Sequence, residues 1–194
     1  MYWRRGLRGS ILKAMATAHV MSAEERFVPV EEYLRTSYRP DCDYVDGRVE
    51  ERNFAEYEHG RVQHILNLIL GNRETEWGIC VVVECRLQVG PNRFRVPDVM
   101  MLRRGQKVSR IVREAPLLCI EVLSPEDTWA RMRARLNDYL GMGVEHVWCF
   151  DPEVREVRRY SAEGFVKIAE PELTVAGTAI RVNVAEVFAV LDQE

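Results

Sequence analysis

Two strand-length apolar segments of this chain each carry a carboxylate, and that pairing limits the folds open to it more than any other feature. Asp98 lies in Phe94-Arg95-Val96-Pro97-Asp98-Val99-Met100-Met101, and Glu121 in Leu117-Leu118-Cys119-Ile120-Glu121-Val122-Leu123. An ionised carboxylate is costly to bury without a partner or a cation. If the two strands are neighbours, the acids meet at one end of a sheet. Charges ~4 Å apart repel by roughly 4 kcal/mol at an effective dielectric of about 20. A hard divalent cation offsets that repulsion, and Mg²⁺ takes one or two carboxylates while keeping several waters. The alternative is that each acid accepts hydrogen bonds at a strand end.

The segments around this pair alternate between helix and strand. Val30 to Leu34 reads as a short helix that ends before Pro40, because the residue preceding proline avoids the helical region. Tyr44 to Val49 reads as a hairpin turning on Asp46-Gly47. A helix is expected from about Glu56 to Trp77, with Val62, Leu66, Ile69 and Leu70 on one buried arc. Strands are expected at Ile79–Val89, Phe94–Leu102 and Pro116–Leu123, the first two joined by the turn Gly90-Pro91-Asn92. A helix capped by Asp127 or Thr128 runs to about Leu140, stopped by Gly141 or Gly143, with Trp129, Met132, Leu136, Tyr139 and Leu140 as its buried stripe. Val144–Phe150 is a further strand, Val157–Tyr160 and Phe165–Ile168 a closing hairpin, and Val184–Leu191 a terminal helix. This order predicts an α/β fold with a mixed sheet.

Composition narrows the function classes. No run approaches the ~18 apolar residues that a membrane-spanning helix needs, so no membrane partner is expected. The five cysteines form no C-x-x-C pair and no zinc spacing, and read as reduced, mostly buried thiols of a cytoplasmic protein. Of the 27 basic residues, Arg4, Arg5, Arg8 and Lys13 fall in residues 1–22, a segment without acids. That segment is expected to be a flexible tail, and residues 23–194 a single domain. The rest of the chain is acidic, so nucleic acid would need a local basic surface. Arg95 with the basic loop Arg103 to Arg110 is the expected phosphate-facing surface. P-loop, dinucleotide-fingerprint, G-x-S-x-G and His-Glu-x-x-His motifs are missing, so no small-molecule cofactor is expected. Trp129, Trp148, Tyr139 and Phe150 read as core.

Three segments in order, Arg95-Val96-Pro97-Asp98-Val99, Ile120 to Asp127, and Asp138-Tyr139-Leu140 with Gly143 to Trp148 and Asp151-Pro152, carry a resemblance. Together they resemble the putative restriction endonuclease family of the Uma-two type, within the PD-(D/E)XK nuclease superfamily, from about Phe27 to the C-terminus. The resemblance implies a restriction-endonuclease-like mixed β-sheet flanked by helices, with an extra N-terminal helix and hairpin and a C-terminal hairpin. It implies phosphodiester hydrolysis, with DNA as substrate and Mg²⁺ or Mn²⁺ bound by Asp98, Glu121 and the backbone carbonyl of Val122. The superfamily lysine belongs two residues after the second acid, where this chain has Leu123. Members of the family commonly lack it too, and a basic residue on the following helix is thought to replace it.

Arg135 is the residue at that place and flanks the buried stripe of its helix. It is always protonated, so it can hold charge on a phosphate but cannot be a general base; otherwise it is a solvated arginine paired with Asp138. Glu58 is placed on the apolar arc of the first long helix, and His59 and Gln63, four apart, on one edge of it. His59 is either a ligand or a surface residue. Glu84, Arg86 and Gln88 share one face of a continuous strand, lining a cleft or facing solvent. Duplex cleavage needs two cuts, which makes a homodimer an expectation. The competing reading is an inactive nuclease-fold protein that binds nucleic acid or a protein partner.

Overall fold

The computed structural model describes residues 27–53 and 56–192. The tail expected at residues 1–22 lies outside the described residues. The chain starts with helix α1 (Val30–Arg35) and the hairpin β1 (Cys42–Val45) and β2 (Arg48–Glu51). Asp46 and Gly47 both take positive φ, 48° and 94°, the backbone that a tight two-residue hairpin requires.

Helices α2 (Tyr57–Gly71) and α3 (Glu74–Trp77) follow, so the single long helix expected from the sequence is interrupted at Asn72-Arg73. The apolar periodicity predicted the buried face and missed the break, which falls after Gly71. His59, Val62, Leu66 and Leu70 are the buried residues of α2.

The expected long hairpin is divided between two sheets. Its inner halves, β3 (Ile79–Val83) and β6 (Val99–Arg103), pair antiparallel in a six-stranded sheet of order β10-β9-β8-β7-β6-β3. Its outer halves, β4 (Leu87–Gly90) and β5 (Arg93–Arg95), join the N-terminal hairpin in a four-stranded sheet of order β2-β1-β5-β4. The chain parts at Glu84, whose φ is 47°, and at the Val96-Pro97-Asp98 link, where proline cannot donate to a ladder. Asp98 therefore stands at the junction of the two sheets.

Strand β7 (Leu118–Val122) pairs antiparallel with β6 and parallel with β8 (His146–Asp151), and α4 (Trp129–Met142) supplies the crossover that a parallel pair needs. Thr128 caps α4 by accepting from the Arg131 N–H, and Gly143, at φ 96°, ends it. Strands β9 (Glu156–Ser161) and β10 (Gly164–Lys167) close the sheet. A further hairpin, β11 (Glu172–Thr174) and β12 (Arg181–Asn183), was not expected from the sequence; it precedes α5 (Val184–Phe188) and a 3₁₀ turn, Ala189–Asp192. Its strands are too short to show a two-residue period.

The two faces of the large sheet are covered differently. Leu118, Ile120 and Val122 of β7 pack with Val62, Leu66 and Leu70 of α2. Cys119 packs on the opposite face with Met132, Leu136 and Tyr139 of α4. Alternation therefore sends Glu121 to the α4 side. Trp129 departs from the expected stripe: it is 43% exposed, with its ring against Phe165 and under the Arg158 guanidinium.

Candidate active site

The β6–β7 register pairs Val99 with Ile120, so one step beyond that ladder Asp98 comes opposite Glu121. Both side chains are almost wholly buried. Asp98 Oδ2 accepts the Val122 N–H at 2.7 Å, and Oδ1 accepts from the Arg52 guanidinium. Glu121 Oε2 accepts from Arg135 Nη1 at 3.0 Å, and Oε1 accepts from the Tyr139 hydroxyl. Arg52 Nη2 lies 3.7 Å from Glu121 Oε2 as well, so a single guanidinium is shared by both acids.

Helix α2 brings two more groups. His59 Nε2 is 3.6 Å from Asp98 Oδ1, and its Nδ1 is 3.1 Å from the Ser124 hydroxyl. Gln63 donates to the Asp98 carbonyl at 3.2 Å and to Glu84 at 3.1 Å. The shared edge expected for His59 and Gln63 is thus turned to the acids. Glu58 is exposed, contrary to its expected place on the apolar arc, because the buried face of α2 runs through His59, Val62, Leu66 and Leu70. It lines an acidic cleft of about 530 Å³ with His59, Ser124 and Asp127. Glu84 lines a second cavity, of about 440 Å³, with Arg52, His59 and Asp98. The common face expected for Glu84, Arg86 and Gln88 is lost, since the turn at Glu84 breaks the alternation. Arg86 instead donates to the carbonyls of Leu34 and Thr36, and Gln88 accepts from Arg113.

Arg135 is buried, not solvated: its second bond runs from Nε to Asp43 Oδ2 at 3.2 Å. Asp138, its expected partner, pairs with Arg93 and Arg95. Arg95 is also withdrawn from any phosphate-facing surface. It is 4% exposed and tied to Asp43, Glu50 and Asp138. The basic loop begins at the end of β6 remote from Asp98, where Arg103 pairs with Glu145 and Arg104 donates to Thr75.

Three participants escaped the sequence reading. Asp43 repeats the signal that marked the other acids, a lone carboxylate in the strand Cys42-Asp43-Tyr44-Val45, and accepts from Arg95, Arg135 and the Val96 N–H. Tyr139 was expected in the core, and its hydroxyl has a polar partner there. Arg52 carries no local signal.

The electrostatics separate the two acids. Burial pushes Glu121 up to about 7; Arg135 opposes that rise and the neighbouring Asp98 charge adds to it. Burial would raise Asp98 too, but Arg52, His59 and the Val122 N–H hold it well below the usual carboxylate range. Burial lowers His59, yet its interaction with Asp98 prevails and its pKa is raised. The arrangement is a pair of carboxylates with divided acidities, enclosed by cations.

The family model described as Uma2, putative restriction endonuclease, matches residues 30–185. The chain belongs to this family. Among solved structures, the crystal structure of a putative nuclease belonging to DUF820 from Anabaena variabilis has a TM-score of 0.72 and 18% identity, the match covering 84% of this chain and 99% of that one. That similarity shows the restriction-endonuclease-like fold. The cryo-EM DrdV–DNA complex has a TM-score of 0.39 and 12% identity over 67% of this chain and 10% of that one. A comparison with curated proteins finds no match. Among the described residues of this Uma2 member, no helix is long and apolar enough to cross a membrane.

Proposed function

We propose that this chain is a Mg²⁺- or Mn²⁺-dependent endonuclease that hydrolyses phosphodiester bonds of DNA. The observation that supports the reading is the convergence of Asp98 and Glu121, from separate strands, on one point, which the Arg52 guanidinium occupies. The residues suit a hard divalent ion. Two carboxylates are enough for magnesium when water completes the shell, although no group of three or more His, Cys, Asp or Glu is arranged for a metal among the described residues. The Val122 N–H faces Asp98, and an extended residue directs its C=O to the same strand edge. When bound, such an ion activates water and stabilises charge on a phosphate.

The chain's own groups do the rest. Arg135, held by Asp43 and Glu121, supplies fixed positive charge where the motif lysine is replaced by Leu123. His59 stands beside Asp98, its Nε2 3.6 Å from Oδ1, and lines the same side of the site. Arg135 cannot take the proton of the attacking water, since a guanidinium is always protonated. Cutting both strands of a duplex takes two cuts, which two copies of the site would make together, and a homodimer forms part of the proposal.

One observation favours a second reading, a nuclease fold without catalysis. Asp98 and Glu121 are each satisfied by protein donors, Arg52 and Val122 for one, Arg135 and Tyr139 for the other. A nicking assay on supercoiled DNA with Mn²⁺ decides between them. The nuclease reading predicts nicking by the parent and its loss in Asp98→Ala and in Glu121→Ala. Undiminished nicking in either variant counts against it, and metal binding without nicking of any DNA or RNA supports the second reading.

A further inference from the structure

We infer that Arg52 is a resident counter-cation of the Asp98–Glu121 site, and that a divalent ion enters this site only by exchange with its guanidinium. The inference rests on the metal-binding reading above and adds a requirement to it. Among the described residues, the two ion-pair partners of Arg52 are the acids proposed to hold the metal. Arg52 Nη2 bonds Asp98 Oδ1 and stands 3.7 Å from Glu121 Oε2, so it occupies the space between them. Two cations sharing that point repel, and the repulsion doubles for a divalent ion.

The two guanidiniums at the site differ in their freedom. Arg135 belongs to a helix and is wedged between Asp43 and Glu121 with its side chain 7% exposed. Arg52 follows the last residue of β2, outside any helix or strand, and its side chain is 13% exposed. It also lines the cavity of about 440 Å³ beside Asp98, which gives a displaced guanidinium room to withdraw. Its backbone is anchored next door, where Asn53 donates to Asp127 Oδ1 at 3.1 Å. Asp127 Oδ2 in turn accepts the Ser124 N–H at 3.0 Å, at the turn between β7 and α4.

The exchange has a readout that needs no catalysis. Mn²⁺ binding to the full chain is followed by the loss of the free-ion electron paramagnetic resonance signal, for the parent, Arg52→Gln, Arg52→Lys and Asn53→Ala. Removing the charge in Arg52→Gln is expected to tighten Mn²⁺ binding by roughly tenfold or more, whereas Arg52→Lys stays within about threefold of the parent. Asn53→Ala keeps every charge and loosens the backbone beside Arg52 by removing its bond to Asp127. It is expected to move affinity in the same direction by a smaller factor, and it serves if Arg52→Gln does not fold. Equal or weaker Mn²⁺ binding in Arg52→Gln, or in Asn53→Ala where Arg52→Gln does not fold, overturns the exchange while the metal site stands. Binding by none of the four proteins overturns the exchange and the metal reading together.

Discussion

In the absence of divalent metal, the stability of this protein should fall as pH rises through neutrality, and Glu121 should be the main cause. Its pKa is pushed up to about 7 in the folded protein. An unfolded glutamate titrates near ~4.3. Over the interval between these values the folded state binds the extra proton, so unfolding free energy declines with pH. At about 1.36 kcal/mol per pH unit the full interval amounts to ~3–4 kcal/mol, present below ~4.3 and lost by roughly pH 8. The opposing bonds from Arg135 and Tyr139, which persist when Glu121 ionises, are already contained in that value. His59, whose pKa is also raised, acts in the same direction. The assay is urea unfolding in chelator at half-unit steps from about pH 5 to 9. Glu121→Gln should lie within about 1 kcal/mol of the parent near pH 5, flatten much of the decline, and be the more stable of the two above pH 8. A parent whose stability is level or rising across that window, or a Glu121→Gln profile as steep as the parent's, would refute the reasoning.

Two further outcomes follow from the packing. Arg135→Met leaves Asp43 and Glu121 without their shared guanidinium and should cost ~3–5 kcal/mol in the metal-free protein by denaturant titration at pH 7. Leu66→Ala removes a fully buried side chain from the face of α2 that meets β7, and should cost ~2–5 kcal/mol by the same titration.

The two acids that define the site were legible because a carboxylate in an apolar strand breaks a pattern that burial imposes. Asp43 breaks the same pattern, but in a strand of four residues the alternation is too brief to stand out. Arg52 could not be found this way. Its role comes from a sheet junction that brings it beside residues far along the chain, and Glu50-Glu51-Arg52-Asn53 reads locally as a solvated loop. Arg95 misled for a related reason: a strand arginine beside an acid suggests phosphate contact, whereas Asp43, Glu50 and Asp138 converge on it from other elements. The division of the long hairpin depends on a non-glycine residue, Glu84, at positive φ, which sequence pattern seldom reveals. The caps of α4 were readable as Asp127 or Thr128 and Gly141 or Gly143, because caps are local chemistry, and the structure uses Thr128 and Gly143.

The central claim is that Asp98 and Glu121 hold one divalent ion between them. Anomalous scattering from crystals grown with Mn²⁺ tests it directly. The account predicts a peak within ~2.5 Å of an oxygen from each acid, with the Arg52 guanidinium displaced from that point. A fully ordered Arg52 still bridging the two carboxylates at saturating Mn²⁺, with no peak between them, would contradict it.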